Sequence, residues 1–90
     1  MSLKGIVDMT EEEIAENKLR TTPGYTWLIN DNKAFWTPQE LEKYLGFSAQ
    51  TIRRWVEAGS IPGALDFGAT GIRIPRAGLI IYLANNLVQK

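Results

Sequence analysis

At 90 residues the chain has room for one small domain, because a chain of this size buries only about 60% of its unfolded surface and leaves nothing for a second core. It holds neither cysteine nor histidine, which excludes a disulfide framework and an ordinary zinc site and removes the usual general base and thiol nucleophile of an enzyme. Ten basic residues balance ten acidic ones, so the overall basicity that commonly marks a nucleic-acid binder is missing.

Met1 to Val7 has neither the length nor the flanks of a signal peptide, and the longest apolar cluster, Leu79 to Val88, is broken by Asn85 and Asn86. It is too short to span a bilayer. A soluble cytoplasmic protein with no membrane contact is expected. The first element is a helix over about Glu11 to Leu19, opened by the capping box Thr10-Glu11-Glu12-Glu13 and stopped by Thr21-Thr22-Pro23-Gly24. Its apolar stripe, Ile14, Ala15 and Lys18, is thin, so it reads as a solvated acidic helix that packs loosely. Tyr25-Thr26-Trp27-Leu28-Ile29 is rich in strand formers and ends at the turn Asn30-Asp31-Asn32, with Ala34-Phe35-Trp36 beyond. A short hairpin or one edge strand is expected there.

Thr37-Pro38-Gln39-Glu40 is a second capping box, now with proline at the first helical position. Leu41 and Leu45 lie one turn apart on the buried side of that helix. Gly46 supplies a left-handed stop, Phe47 an apolar plug, and Ser48 the cap of the next helix. On this next helix, at 100° per residue, Ala49, Ile52, Trp55 and Val56 share one arc while Gln50, Arg53, Arg54 and Glu57 share the opposite one. Gly59 closes it. Arginine offers two parallel donors to guanine and glutamine pairs both ways with adenine, so this polar arc suits base reading. Ser48, Ala49 and Thr51, near the helix start, suit phosphate. Glu57 is placed to pair with Arg53 or Arg54 one turn away.

The zero net charge hides an asymmetry. Through Gly46 the chain carries eight acids and five bases, and from Phe47 onward two acids and five bases. The cationic half is the half with the polar arc, and charges beyond about 10 Å are largely screened at ordinary salt, so the local field counts for more than the sum.

Ala64 to Phe67 and Ile72 to Ile74 read as two short strands around Gly68-Ala69-Thr70-Gly71, a small wing on which Arg73 projects outward between inward isoleucines. Gly68 to Gly71 is too short, and lacks the lysine, for a phosphate-cradling nucleotide loop. Pro75 starts a last helix in which Leu79, Ile80, Leu83 and Leu87 form a wide apolar stripe, broadened by Ile81, Tyr82 and Val88 toward self-association or partner docking.

In order and spacing, the Thr-capped helix, Leu45-Gly46-Phe47-Ser48, Thr51-Ile52-Arg53-Arg54-Trp55, Gly59-Ser60-Ile61-Pro62, the glycine-bounded wing and Arg73-Ile74-Pro75-Arg76 resemble the excisionase and MerR-type winged helix-turn-helix family. The resemblance covers about Trp36 to Leu83. It implies a mainly α fold with a small β wing, the second helix of the motif in the major groove and the wing beside it. It implies contacts to double-stranded DNA from Ser48, Gln50, Thr51, Arg53, Arg54, Arg73 and Arg76, to which Thr37 is added. Relatives carry more arginine or lysine in the wing than Gly68 to Gly71 does. On this reading residues 34–90 are the DNA-binding domain and residues 1–33 an extension with an acidic helix.

The function implied is that of a small bacterial or phage regulator of recombination directionality or transcription. An integrase or recombinase, or a second copy met through the last helix, is the implied protein partner. No cofactor, no metal and no catalysis are expected. Two alternatives remain: a protein interaction module built on the same fold, favoured by the neutral charge and the poorly basic wing, and a phage packaging subunit that recognises DNA.

Overall fold

The computed structural model describes residues 10–87. Thr10 accepts a hydrogen bond from the Glu13 amide at 3.1 Å, and the Glu13 carboxylate accepts one from the Thr10 amide at 2.9 Å. This reciprocal box opens α1, Glu11–Arg20. A single helical turn, α2, follows at Thr26–Ile29. A strand expected at Tyr25 to Ile29 is therefore corrected: Leu28 and Ile29 are adjacent and both buried, which one face of a strand does not allow but a helical turn does. The Trp27 indole N–H donates to the Gly24 carbonyl at 2.9 Å and pins that turn. The edge strand expected next is present as β1, Phe35–Trp36.

Thr37 and Glu40 repeat the box, amide to carboxylate at 2.9 Å and amide to hydroxyl at 3.2 Å, and open α3, Pro38–Leu45, with Pro38 where no N–H is needed. Gly46 ends it at φ +77°, and the Ser48 hydroxyl accepts the Thr51 amide at 3.2 Å to open α4, Ala49–Glu57. Beyond Gly59 come β2, Leu65–Asp66, one turn of 3-10 helix at Gly68–Thr70, β3, Ile72–Pro75, and α5, Arg76–Asn85. β3 lies between β1 and β2 in an antiparallel sheet, with Trp36 opposite Ile74 and Leu65 opposite Arg73. The alternation expected in β3 holds: Ile72 and Ile74 are buried and Arg73 is exposed.

Leu28, Leu41, Ile52, Ile74, Leu79 and Ile80 are fully or almost fully buried and form one core that every helix enters. The expected loose packing of α1 is corrected. Ile14 is exposed, and the buried pair is Ala15 and Leu19, one turn apart, which seats α1 along α5. Ile81, Tyr82 and Leu87 of the last stripe are partly buried and pack against the same core; Val88, and the segment from Met1 to Val7, lie outside the described residues. The Trp27 ring ties α2 to α3 and β1: it stacks on Tyr44 at 4.4 Å and meets Trp36 edge-on at 5.3 Å.

Lys33 pairs with Glu40 and lies 4.9 Å from the Trp36 ring centre. That ion pair first, and the Thr37 amide second, hold the Glu40 carboxyl below its ordinary pKa. A depressed folded-state pKa stabilises the fold above the unfolded value and the contribution disappears as pH falls through the folded one. The carboxylate is well exposed, so the effect is small. Glu40→Gln keeps the capping box and removes the charge; it is expected to lower Tm slightly near about pH 7, and the gap to the native chain should close below about pH 4, the ordinary range of a glutamate. Thermal melts across that interval check it, and a gap unchanged at low pH contradicts it.

Candidate nucleic-acid interface

The outer arc of α4 is set by what its inner arc does. Ile52 is fully buried and Val56 nearly so, with Ala49 and Trp55 half-buried beside them. Packing these into the core against α3 leaves Gln50, Arg53, Arg54 and Glu57 exposed, and together they line one shallow depression. Among the described residues neither Arg53 nor Arg54 has a hydrogen-bonded side chain or an ion pair, and the pairing expected with Glu57 is not made. Two guanidinium groups are thus presented outward with every donor unspent. The helix N-terminus beside them is built by Ser48, which is exposed, and Thr51, whose hydroxyl lies 3.0 Å from that of Ser48.

Phe47 does not plug the turn as expected. It is half exposed and leans edge-on against Trp55 at 5.1 Å, at the rim of a cavity lined also by Tyr25, Leu45, Tyr82 and Leu83. Trp55 is backed in turn by Tyr82 at 5.1 Å.

The wing meets the outer arc directly. Arg53 and Glu57 line a crevice with Asp66, Gly68, Gly71 and Ile72. Arg73 stands on the outer face of the sheet, where its Nη1 donates to the Ile72 carbonyl at 3.1 Å and its guanidinium lies so close over Gly71 that a Cβ there would sit 2.9 Å from Nη1.

Two residues in the implied contact set have other work. Arg76 turns inward: its Nε donates to the Asp31 carbonyl at 3.0 Å, its Nη2 to the Ile29 carbonyl at 3.0 Å, and its Nη1 lies 3.6 Å from Glu16. The Thr37 hydroxyl accepts the Glu40 amide as the cap of α3. The structure therefore brings together Ser48, Gln50, Thr51, Arg53 and Arg54, sets Arg73 on the neighbouring wing, and ties Arg76 and Thr37 into the fold. Sequence reasoning missed Leu65 and Phe67, large apolar side chains about half exposed on the wing. Their spacing of two, with Leu65 opposite the outward Arg73, is the signal that marks that face.

Among the described residues no cluster of three or more acids stands ready for a metal ion, and no helix is long and apolar enough to cross a membrane. Two capped helices joined by a tight turn, with a polar outer arc on the second and a β wing at its side, define a winged helix-turn-helix. Residues 37–87, more than half of the chain, match the helix-turn-helix domain family, and the chain belongs to it. No curated protein and no solved structure matches the chain. A helix-turn-helix domain indicates DNA binding.

Proposed function

We propose that this chain binds double-stranded DNA sequence-specifically, as a small excisionase-like or MerR-like regulator of recombination or transcription, with α4 in the major groove. The observation that carries the reading is the pair of exposed, unspent guanidinium groups of Arg53 and Arg54 on the outer arc of a helix whose inner arc is core. Gln50, one turn before Arg54 and on the same depression, joins them as a base reader, and Ser48 and Thr51 at the helix start face phosphate. Arg73 contacts the backbone from the wing. Arg76 stays outside the contact set because its guanidinium is engaged in the fold, and Thr37 because it caps α3 and is not on the α4 surface. Residues 34–90 form the reading domain, with 1–33 as its extension.

Anisotropy titrations over a salt series, on duplexes selected by the intact chain from a random-sequence library, test this reading. Arg53→Ala or Arg54→Ala is expected to cost about 1–3 kcal/mol on the selected site where the arginine reads a base, or to weaken all sequences alike and lower the salt slope by about one where it meets phosphate. Binding indifferent to both salt and these arginines favours a protein-docking module instead.

A further inference from the structure

The wing carries its exposed side chains in an unusual combination. Leu65 lies opposite Arg73 and Phe35 opposite Pro75, and directly opposed residues of an antiparallel pair share a face. The outer face of the sheet therefore presents Phe35, Pro75, Arg73 and Leu65, with Phe67 two residues beyond Leu65. Phe67 is 56% exposed and Leu65 43%, and neither packs against the core that takes up Ile72 and Ile74. The loop itself is tied down: the Phe67 amide donates to the Gly71 carbonyl at 2.9 Å, and Asp66 accepts the Gly68 amide at 2.9 Å. Phe67 is thus fixed between two residues, Asp66 and Gly68, that line the crevice shared with Arg53 and Glu57.

A wing that followed phosphates would need cations at its tip, and from Ala64 to Gly71 there is none. What the wing does hold is an apolar ring and a leucine beside one guanidinium, with the Asp66 carboxylate turned back onto the Gly68 amide. Side chains of this kind unstack a base step from the minor groove, with a cation to offset the negative potential there. From this juxtaposition, and resting on the DNA-binding reading above, we infer that the wing is a wedge: Phe67, backed by Leu65 and accompanied by Arg73, enters the minor groove beside the α4 site and kinks the duplex. Steps that unstack easily, such as TA and CA, are then preferred at a position no polar side chain reads.

The test uses the intact chain and the selected duplexes, labelled at their ends for energy transfer and, in a second set, with 2-aminopurine flanking the α4 site. The native chain is expected to bend the duplex by about 20–90° and to brighten 2-aminopurine at one step. At protein concentrations that saturate the duplex, Phe67→Ala is expected to leave the bound duplex straight. Phe67→Leu, which retains an apolar wedge, should keep the bend. Leu65→Ala, reducing it in part, supplies a reading independent of how well the alanine variant at Phe67 folds. A straight duplex with the native chain, or a bend unchanged by Phe67→Ala and Leu65→Ala, overturns the wedge while DNA binding stands. Loss of self-association in sedimentation with no change in bend overturns it in favour of a protein contact. If the native chain retains no duplex from the library, it is the DNA-binding reading that fails, and the wedge with it.

Discussion

Gly78→Ala is expected to destabilise the chain by about 3 kcal/mol or more, an effect beyond the usual range for a single added methyl group. On propensity alone the change should help, since alanine is favoured over glycine in a helix interior by about 1 kcal/mol. The local packing reverses the sign. α5 crosses so close to the turn after Ile61 that a Cβ on Gly78 would lie 1.8 Å from the Pro62 carbonyl oxygen and 2.9 Å from its carbon. Both are backbone atoms, so no flexible side chain can give way, and α5 must lift from the turn that leads into the wing. Gly46→Ala is a useful contrast: nothing stands within 4 Å of its Cβ, and the left-handed φ alone should cost about 1–2 kcal/mol. For a domain near this size 1 kcal/mol moves Tm by about 4–8 °C, so thermal melts separate the two variants. A Gly78→Ala chain that melts at or above the native temperature contradicts the packing described.

The second large effect is expected at Arg76. Its guanidinium ties the start of α5 to the carbonyls of Ile29, the last residue of α2, and Asp31 just beyond it, and approaches Glu16 on α1, joining segments more than 40 positions apart in the chain. Hydrogen bonds to a charged group contribute about 1.5–3 kcal/mol, and removing the donor also leaves the Ile29 carbonyl, at a buried residue, without it. Arg76→Ala is expected to lose about 2–3 kcal/mol in urea unfolding. Arg76→Lys should recover only part, since an ammonium cannot reach both carbonyls in the planar arrangement of the fork. At temperatures where the variants remain folded, their DNA affinity should stay near native, in contrast to Arg53→Ala. Full stability with abolished DNA binding in Arg76→Ala would instead return this residue to the contact surface.

Local chemistry made much of this fold legible. Both capping boxes, the Gly46 stop, the Ser48 cap and the inward isoleucines of β3 are each decided by residues within a few positions of one another, and the structure has them where those residues put them. The elements in which structure departs from local pattern are the ones decided at long range. Tyr25 to Ile29 has the composition of a strand, but the common core takes up the adjacent Leu28 and Ile29 side chains, and propensity yields to that burial. The stripe read from the sequence of α1 leaves out Leu19, which lies at the helix end and is buried where α1 packs along α5.

The same division runs through the candidate site. The outer arc of α4 follows from helical angle alone, since Ile52 and Val56 fix which side is buried. Arg76 and Arg54 are the same residue type, and nothing local distinguishes an arginine that faces solvent from one whose acceptors are the carbonyls of Ile29 and Asp31. The exposed wing residues are hidden for a related reason: an apolar residue in a strand is expected to be buried, and only the pairing of Leu65 with Arg73 puts it on the outer face.

The most direct measurement of whether α4 is the reading surface is an amide chemical-shift titration of the isotopically labelled chain with a selected duplex. The result expected is a set of perturbations centred on Ser48 to Arg54, extending to Phe67 and Arg73 on the wing, with the outer face of α1 unmoved. Perturbations centred on α1 or on α5, with the amides and guanidinium signals of Arg53 and Arg54 unchanged, would contradict it.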